Sequence, residues 1–137
     1  MWWIFALLSA LFAALTAIFA KIGIEGVDTD LATAIRTVVI LFLAWGIAFF
    51  KGGTNSIGSL TKNNIIFLVL SGIATGLSWI FYFKALQLGK VSQVAPVDKL
   101  SVAIAIILSV IFLGEPVTLK MLIGAGMIIG GTLVLIF

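Results

Sequence analysis

Residues 65–83 read IIFLVLSGIATGLSWIFYF, nineteen positions without one charged side chain. At ~1.5 Å rise per residue such a helix covers about 28 Å, close to the ~30 Å hydrocarbon core of a bilayer. Four more stretches of similar length and apolarity flank it, at 2–20, 31–50, 94–113 and 119–137. The linkers between them are too short to form a soluble domain. Lipid offers no partners to backbone N–H and C=O groups, so a spanning segment is a helix or part of a closed barrel. Continuous apolar runs lack the alternation of a barrel strand. The expected fold is an all-α integral membrane bundle of five transmembrane helices, one domain over residues 1–137, multi-pass in the cell (inner) membrane.

Composition agrees. Hydrophobic residues make up 63% of the chain and charged residues 9%, against ~25% charged in an ordinary soluble domain. Net charge is +3, but the eight Lys and Arg are scattered singly. No basic stripe is available to nucleic acid. With no Cys and no His, disulfides, thiolate chemistry, His-held haem and conventional zinc sites are excluded. No metal or cofactor is expected. The absence of a nucleophile–base pair argues against an enzyme. The first span has no basic segment before it and runs into Lys21, so it is expected to be retained rather than cleaved.

Helix ends carry local signals. Asp28, Thr29 or Asp30 is expected to cap the second span, Thr61 or Asn63 the third, Ser92 the fourth and Thr118 the fifth. Gly89 and Gly114 stand where the third and fourth helices should stop, and Gly52–Ser56 suits a surface loop. Trp2 and Trp3 fit an interfacial belt. Close helix contact in lipid depends on small residues. Ala6, Ala10, Ala13, Ala17 and Ala20 form a stripe on the first span. Gly72 and Gly76, and Gly126 and Gly130 with Gly124 and Gly131 beside them, form small-residue pairs. These glycines serve either packing within the bundle or, for the last span, contact with a second copy.

Charges inside spans are costly and usually face a bundle interior or an aqueous cavity. Arg36 lies early in the second span, and Asp98 and Lys99 early in the fourth. Both spans begin on the side opposite the N-terminus. The third runs the other way and brings Trp79 and Tyr82 to the same layer, roughly 6–9 Å inside one face. Two stripes lead inward from it. Ser71, Thr75, Ser78 and Tyr82 share one face of the third span, and Asp98, Ser101, Ala105 and Ser109 share one face of the fourth. Their hydroxyls line a pathway or simply bond between helices. Asp98 has two readings. A helix restarting at Pro96 would hold it in the first turn as a cap, paired with Arg36 or Lys99; otherwise it serves substrate or a proton.

The runs Tyr82–Gly89, Val94–Ser101 and Phe112–Glu115, with Ala20–Val27 and Leu31–Thr37, resemble the EamA domain of the drug/metabolite transporter superfamily. The likeness is to its short, single-copy, five-span bacterial and archaeal members, over essentially the whole chain. Larger relatives carry two such domains in inverted tandem with the substrate cavity between them. The resemblance therefore implies an antiparallel homodimer for a single copy. Charge counting permits either orientation. Lys51, Lys62 and Lys120 fall on the N-terminal side, and Lys21, Lys84 and Lys90 on the other. Counting Arg36 and Lys99 favours an outside N-terminus. Small multidrug exporters carry a carboxylate within their first span; residues 2–20 have none, which disfavours their proton-coupled cation export.

The combined expectation is a secondary transporter of a small polar or amphipathic metabolite, with amino-acid-like export favoured, operating by alternating access. Its partners are the lipid bilayer, an antiparallel second copy and the small-molecule substrate. The pathway residues are Arg36, Ser71, Thr75, Ser78, Trp79, Tyr82, Asp98, Lys99 and Ser101; Gly72, Gly76, Gly126 and Gly130 form the helix or dimer contacts. The alternative is a non-transporting or heteromeric subunit of a larger membrane complex, such as a lipid-carrier flippase.

Overall fold

The computed structural model describes Met1–Phe137 and is helical, with no sheet. Its elements are α1 (Trp2–Gly23), α2 (Thr29–Phe50), a 3₁₀ helix (Gly53–Ser59), α3 (Lys62–Leu88), α4 (Val91–Asp98), α5 (Leu100–Leu113) and α6 (Leu119–Ile136). Five segments are long and apolar enough to cross a membrane: α1, α2, α3, α4 with α5, and α6. The chain clusters into two compact units. One comprises Met1–Ile18 and Leu88–Phe137, the other Phe19–Gln87.

The helices outlast the apolar stretches. The third runs from Lys62 to Leu88 rather than 65–83, because helical hydrogen bonding need not stop where hydrocarbon does. Its start is set by Thr61, whose Oγ1 accepts from the Asn64 N–H at 3.2 Å. Asp28 caps α2, accepting from Asp30 and Leu31 N–H at 3.0 and 2.9 Å. Thr118 caps α6 through the Met121 N–H at 3.2 Å. Ser92 does not cap. The fourth span starts at Val91 after Lys90, which makes no side-chain cap bond, so Ser92 falls inside the first turn. The expected loop at Gly52–Ser56 is also different. Gly52 is left-handed, and a 3₁₀ helix follows it. Short-range bonds such as Asn55 N–H to Gly52 O (3.2 Å) and Ser59 Oγ to Ser56 O (2.7 Å) satisfy this polar segment locally.

The fourth span is broken. Pro96 sits inside α4, not at a helix start, and it cannot donate to the turn before it. The Lys99 N–H is shared between Ala95 O (3.3 Å) and Pro96 O (3.1 Å), and Val102 N–H closes a tight turn onto Lys99 O at 3.0 Å. Asp98 is thus the last residue of α4, which overturns its placement in a first turn. Thr132 on α6 steadies the break. It is buried, and its hydroxyl lies 2.8 Å from Ile128 O and 3.2 Å from Pro96 O.

The core is thin, because lipid tails solvate Leu and Ile as well as other side chains do. One unit buries Ile24, Phe83 and Leu86 with Thr29 and Thr33; the other buries Ala17, Ala103 and Thr132. Every buried side-chain nitrogen and oxygen has a hydrogen-bond partner. The glycine pairs lie open. A methyl group built at Gly72, Gly76, Gly126 or Gly130 would meet nothing beyond its own stretch of helix within 4 Å in the unit that holds it.

Gly114 ends α5 at φ +68°, and the Glu115 N–H reaches back to Ser109 O at 3.4 Å. A Cβ in this left-handed conformation costs about 1–2 kcal/mol. Gly114→Ala should lower the unfolding free energy by that amount in a denaturant titration in bicelles, whereas Gly124→Ala, where the backbone is helical and the space open, should not.

Candidate functional site

The turn between α1 and α2 is built on Gly26, at φ +71°. It is tied to the last turn of α3 by two long-range bonds. Lys21 Nζ donates to Leu86 O, and Gln87 Nε2 donates to Val27 O at 3.0 Å. An ammonium at the C-terminus of a helix is favoured by unsatisfied carbonyls and the helix dipole. Lys21, Ile22, Ile24, Glu25, Gly26 and Gln87 line a cavity of about 430 Å³ here.

This anchoring sets how α2 faces α3. Thr29, Thr33 and Arg36 follow one another on one side of α2. The two threonines are buried, and the Thr33 hydroxyl donates to Thr29 O at 2.9 Å, which leaves the face apolar. One turn further, the Arg36 guanidinium lies 3.5 Å from the centre of the Trp79 ring and 5.3 Å from that of Phe83. Trp79 in turn meets Tyr82 and Phe83 edge-to-face, with centroids 5.4 and 5.6 Å apart. The result is a cation stacked on an aromatic platform, one helical turn from a buried core.

Arg36, Trp79 and Tyr82, expected in one layer, are therefore brought together. Asp98 and Lys99 form an ion pair with each other at 3.1 Å, at the junction of α4 and α5. Ser71, Thr75 and Ser78 lie exposed along α3, and the Thr75 hydroxyl bonds back to Ser71 O at 2.8 Å. Ser101 is exposed on α5. Phe83, Lys21 and Gln87 were not among the expected site residues. Phe83 follows Trp79 by one turn, and that spacing could have found it. Which carbonyl Lys21 meets had no sequence signal.

Compared with known proteins, residues 1–137 match the EamA-like transporter family along their whole length. The chain belongs to that family. A relative from Sinorhizobium sp, named "Uncharacterized transporter in cobO 3'region", is 47% identical over 134 residues, covering 98% of this chain and 95% of its own. No solved structure matches. This EamA chain is a multi-pass membrane transporter, and both likenesses point away from an enzyme.

The stacking of Arg36 on Trp79 is measurable. In a double-mutant cycle with Arg36→Met and Trp79→Leu, the coupling energy should be about 1–2 kcal/mol, as for a partly desolvated cation–π pair. Additive effects of the two changes would mean that the stack does not hold the helices.

Proposed function

We propose that this EamA chain is a secondary transporter that moves a small polar or amphipathic metabolite, amino-acid-like and outward-bound, by alternating access as an antiparallel homodimer. The observation that carries this reading is the open glycine face of α6. Within their own unit, a Cβ at Gly126 or Gly130 would touch nothing within 4 Å beyond the helix itself, and small residues in lipid favour close approach by another helix. Five crossings give a single copy no inverted half of its own, and a two-fold axis in the membrane plane supplies one. The near balance of lysines on the two sides allows both orientations to insert.

In such a dimer the two access states are equivalent by symmetry: each is reached from the other when the protomers exchange roles. Neither face is then favoured by the protein alone, and direction follows from the substrate and coupling gradients. The Arg36–Trp79–Tyr82 cluster is one substrate-facing element. The Asp98–Lys99 pair is another, placed at a helix break, where transporters commonly expose polar groups at membrane depth. Ser71, Thr75, Ser78 and Ser101 supply hydroxyls along the exposed faces of α3 and α5.

The chain contains no cysteine, so single cysteines report topology without background. Asn55→Cys and Glu25→Cys, in loops on opposite sides, should each react with an impermeant maleimide from both faces of the membrane. One-sided labelling of either would overturn dual insertion. Gly126→Leu should abolish the dimer captured by an amine-reactive crosslinker in the same membranes while leaving helix content unchanged. Asp98→Asn should suppress counterflow of labelled amino acids in proteoliposomes without affecting dimer recovery; undiminished flux would remove Asp98 from the mechanism.

A further inference from the structure

Arg36 lies about 10 Å along α2 from its first residue by helical rise, at a depth where a guanidinium is costly unless its charge is met. Its own unit holds the carboxylates Glu25, Asp28 and Asp30. None pairs with it, and Asp28 is occupied as the α2 cap. In the other unit Asp98 pairs with its neighbour Lys99 at 3.1 Å. What holds Arg36 is the flat face of Trp79 at 3.5 Å, with Phe83 beyond. A guanidinium carries its five N–H donors around the rim of its plane, not on its faces. Stacking on Trp79 therefore fixes the orientation of the fork while using none of its donors. Within its unit no hydrogen bond or ion pair engages them.

We infer that Arg36, held flat on Trp79, is a carboxylate-binding subsite, and that the cargo is a monocarboxylate with an apolar body. This deepens the transport reading above and rests on it for its purpose. A planar fork with two parallel donors matches a carboxylate in a bidentate pair. One cation neutralises one negative charge, so a monoanion is accommodated where a dianionic phosphate would carry an unmatched charge into a layer of low dielectric. The apolar body follows from the surroundings. Trp79, Tyr82 and Phe83 cluster beside the fork, and the hydroxyl of Thr33, one turn away, is already bonded to the backbone. A cationic cargo is disfavoured because Arg36 already covers a face of Trp79.

Three probes that share one phenyl ring test this with purified protein in uncharged maltoside micelles: benzoate, its isostere benzamide, and the cation benzylamine. Equilibrium dialysis should show benzoate bound about tenfold or more tightly than either of the others, the margin of a charged hydrogen-bonded pair. Arg36→Gln should erase the preference. Should that variant misfold, Arg36→Lys keeps the charge without the fork and should weaken benzoate severalfold while benzamide is unchanged. A purely structural stack would alter thermal stability and leave the benzoate-to-benzamide ratio alone. Equal binding of the three probes, preference for benzylamine, no binding, or benzoate affinity unchanged in both Arg36 variants would each overturn the assignment. Binding in micelles depends on neither flux nor topology. A transporter that grips the carboxylate of its amino acid elsewhere than at Arg36 would pass the labelling and counterflow tests and fail this one.

Discussion

Hydrocarbon neither donates nor accepts hydrogen bonds, and each feature of this chain answers that constraint. The backbone closes on itself as helix wherever it meets lipid. Where the ladder is interrupted, at Pro96, the Lys99 N–H is divided between two carbonyls and a threonine from α6 comes within reach of one of them. Buried hydroxyls turn back on their own helix, as Thr33 does on Thr29 and Thr132 on Ile128. The end of α3 receives the ammonium of Lys21. Apolar side chains, by contrast, are left uncovered almost everywhere, since burying them against protein gains little over leaving them in lipid.

Such a solvent makes architecture easy to read in a sequence and contacts hard. Run length gives the five spans directly, and three caps follow from short polar side chains at Asp28, Thr61 and Thr118, because capping is a property of neighbouring residues. Helix ends were legible less well. Apolarity marks the edge of the hydrocarbon, whereas α3 continues through Lys84 and Gln87 to Leu88. The same confusion put Ser92 at a boundary that the backbone had already passed. Pro96 suggested a helix start, since proline suits a first turn, but the chain was helical before it, and Asp98 ends α4 instead.

The candidate site divides along similar lines. Counting residues along antiparallel helices puts Arg36, Trp79 and Tyr82 at one depth, and depth follows from rise alone. Whether they touch depends on the rotation of α2 and α3 about their axes. That rotation is fixed by Ile24, Phe83 and Leu86 and by the bonds from Lys21 and Gln87, long-range contacts that no local pattern encodes. Thr132 is the extreme case: a lone hydroxyl in an apolar helix, whose partner lies 36 residues away in sequence. The glycines were legible as a motif, while the clear space beside them in each unit was not.

The length of α3 has a consequence for the host membrane. Its 27 residues extend about 40 Å, against ~30 Å of hydrocarbon. The apolar centre, 65–83, matches the core, and the surplus turns around Lys62 and Lys84–Leu88 belong in the headgroup zone. The anchor between Gln87 and the α1–α2 turn therefore sits in that zone, not in the oily interior. When a cell lengthens or shortens its acyl chains, the water line moves along these turns first. Lipid thickness thereby bears on the anchor beside α2 and α3, and so on the pose of the guanidinium above its indole.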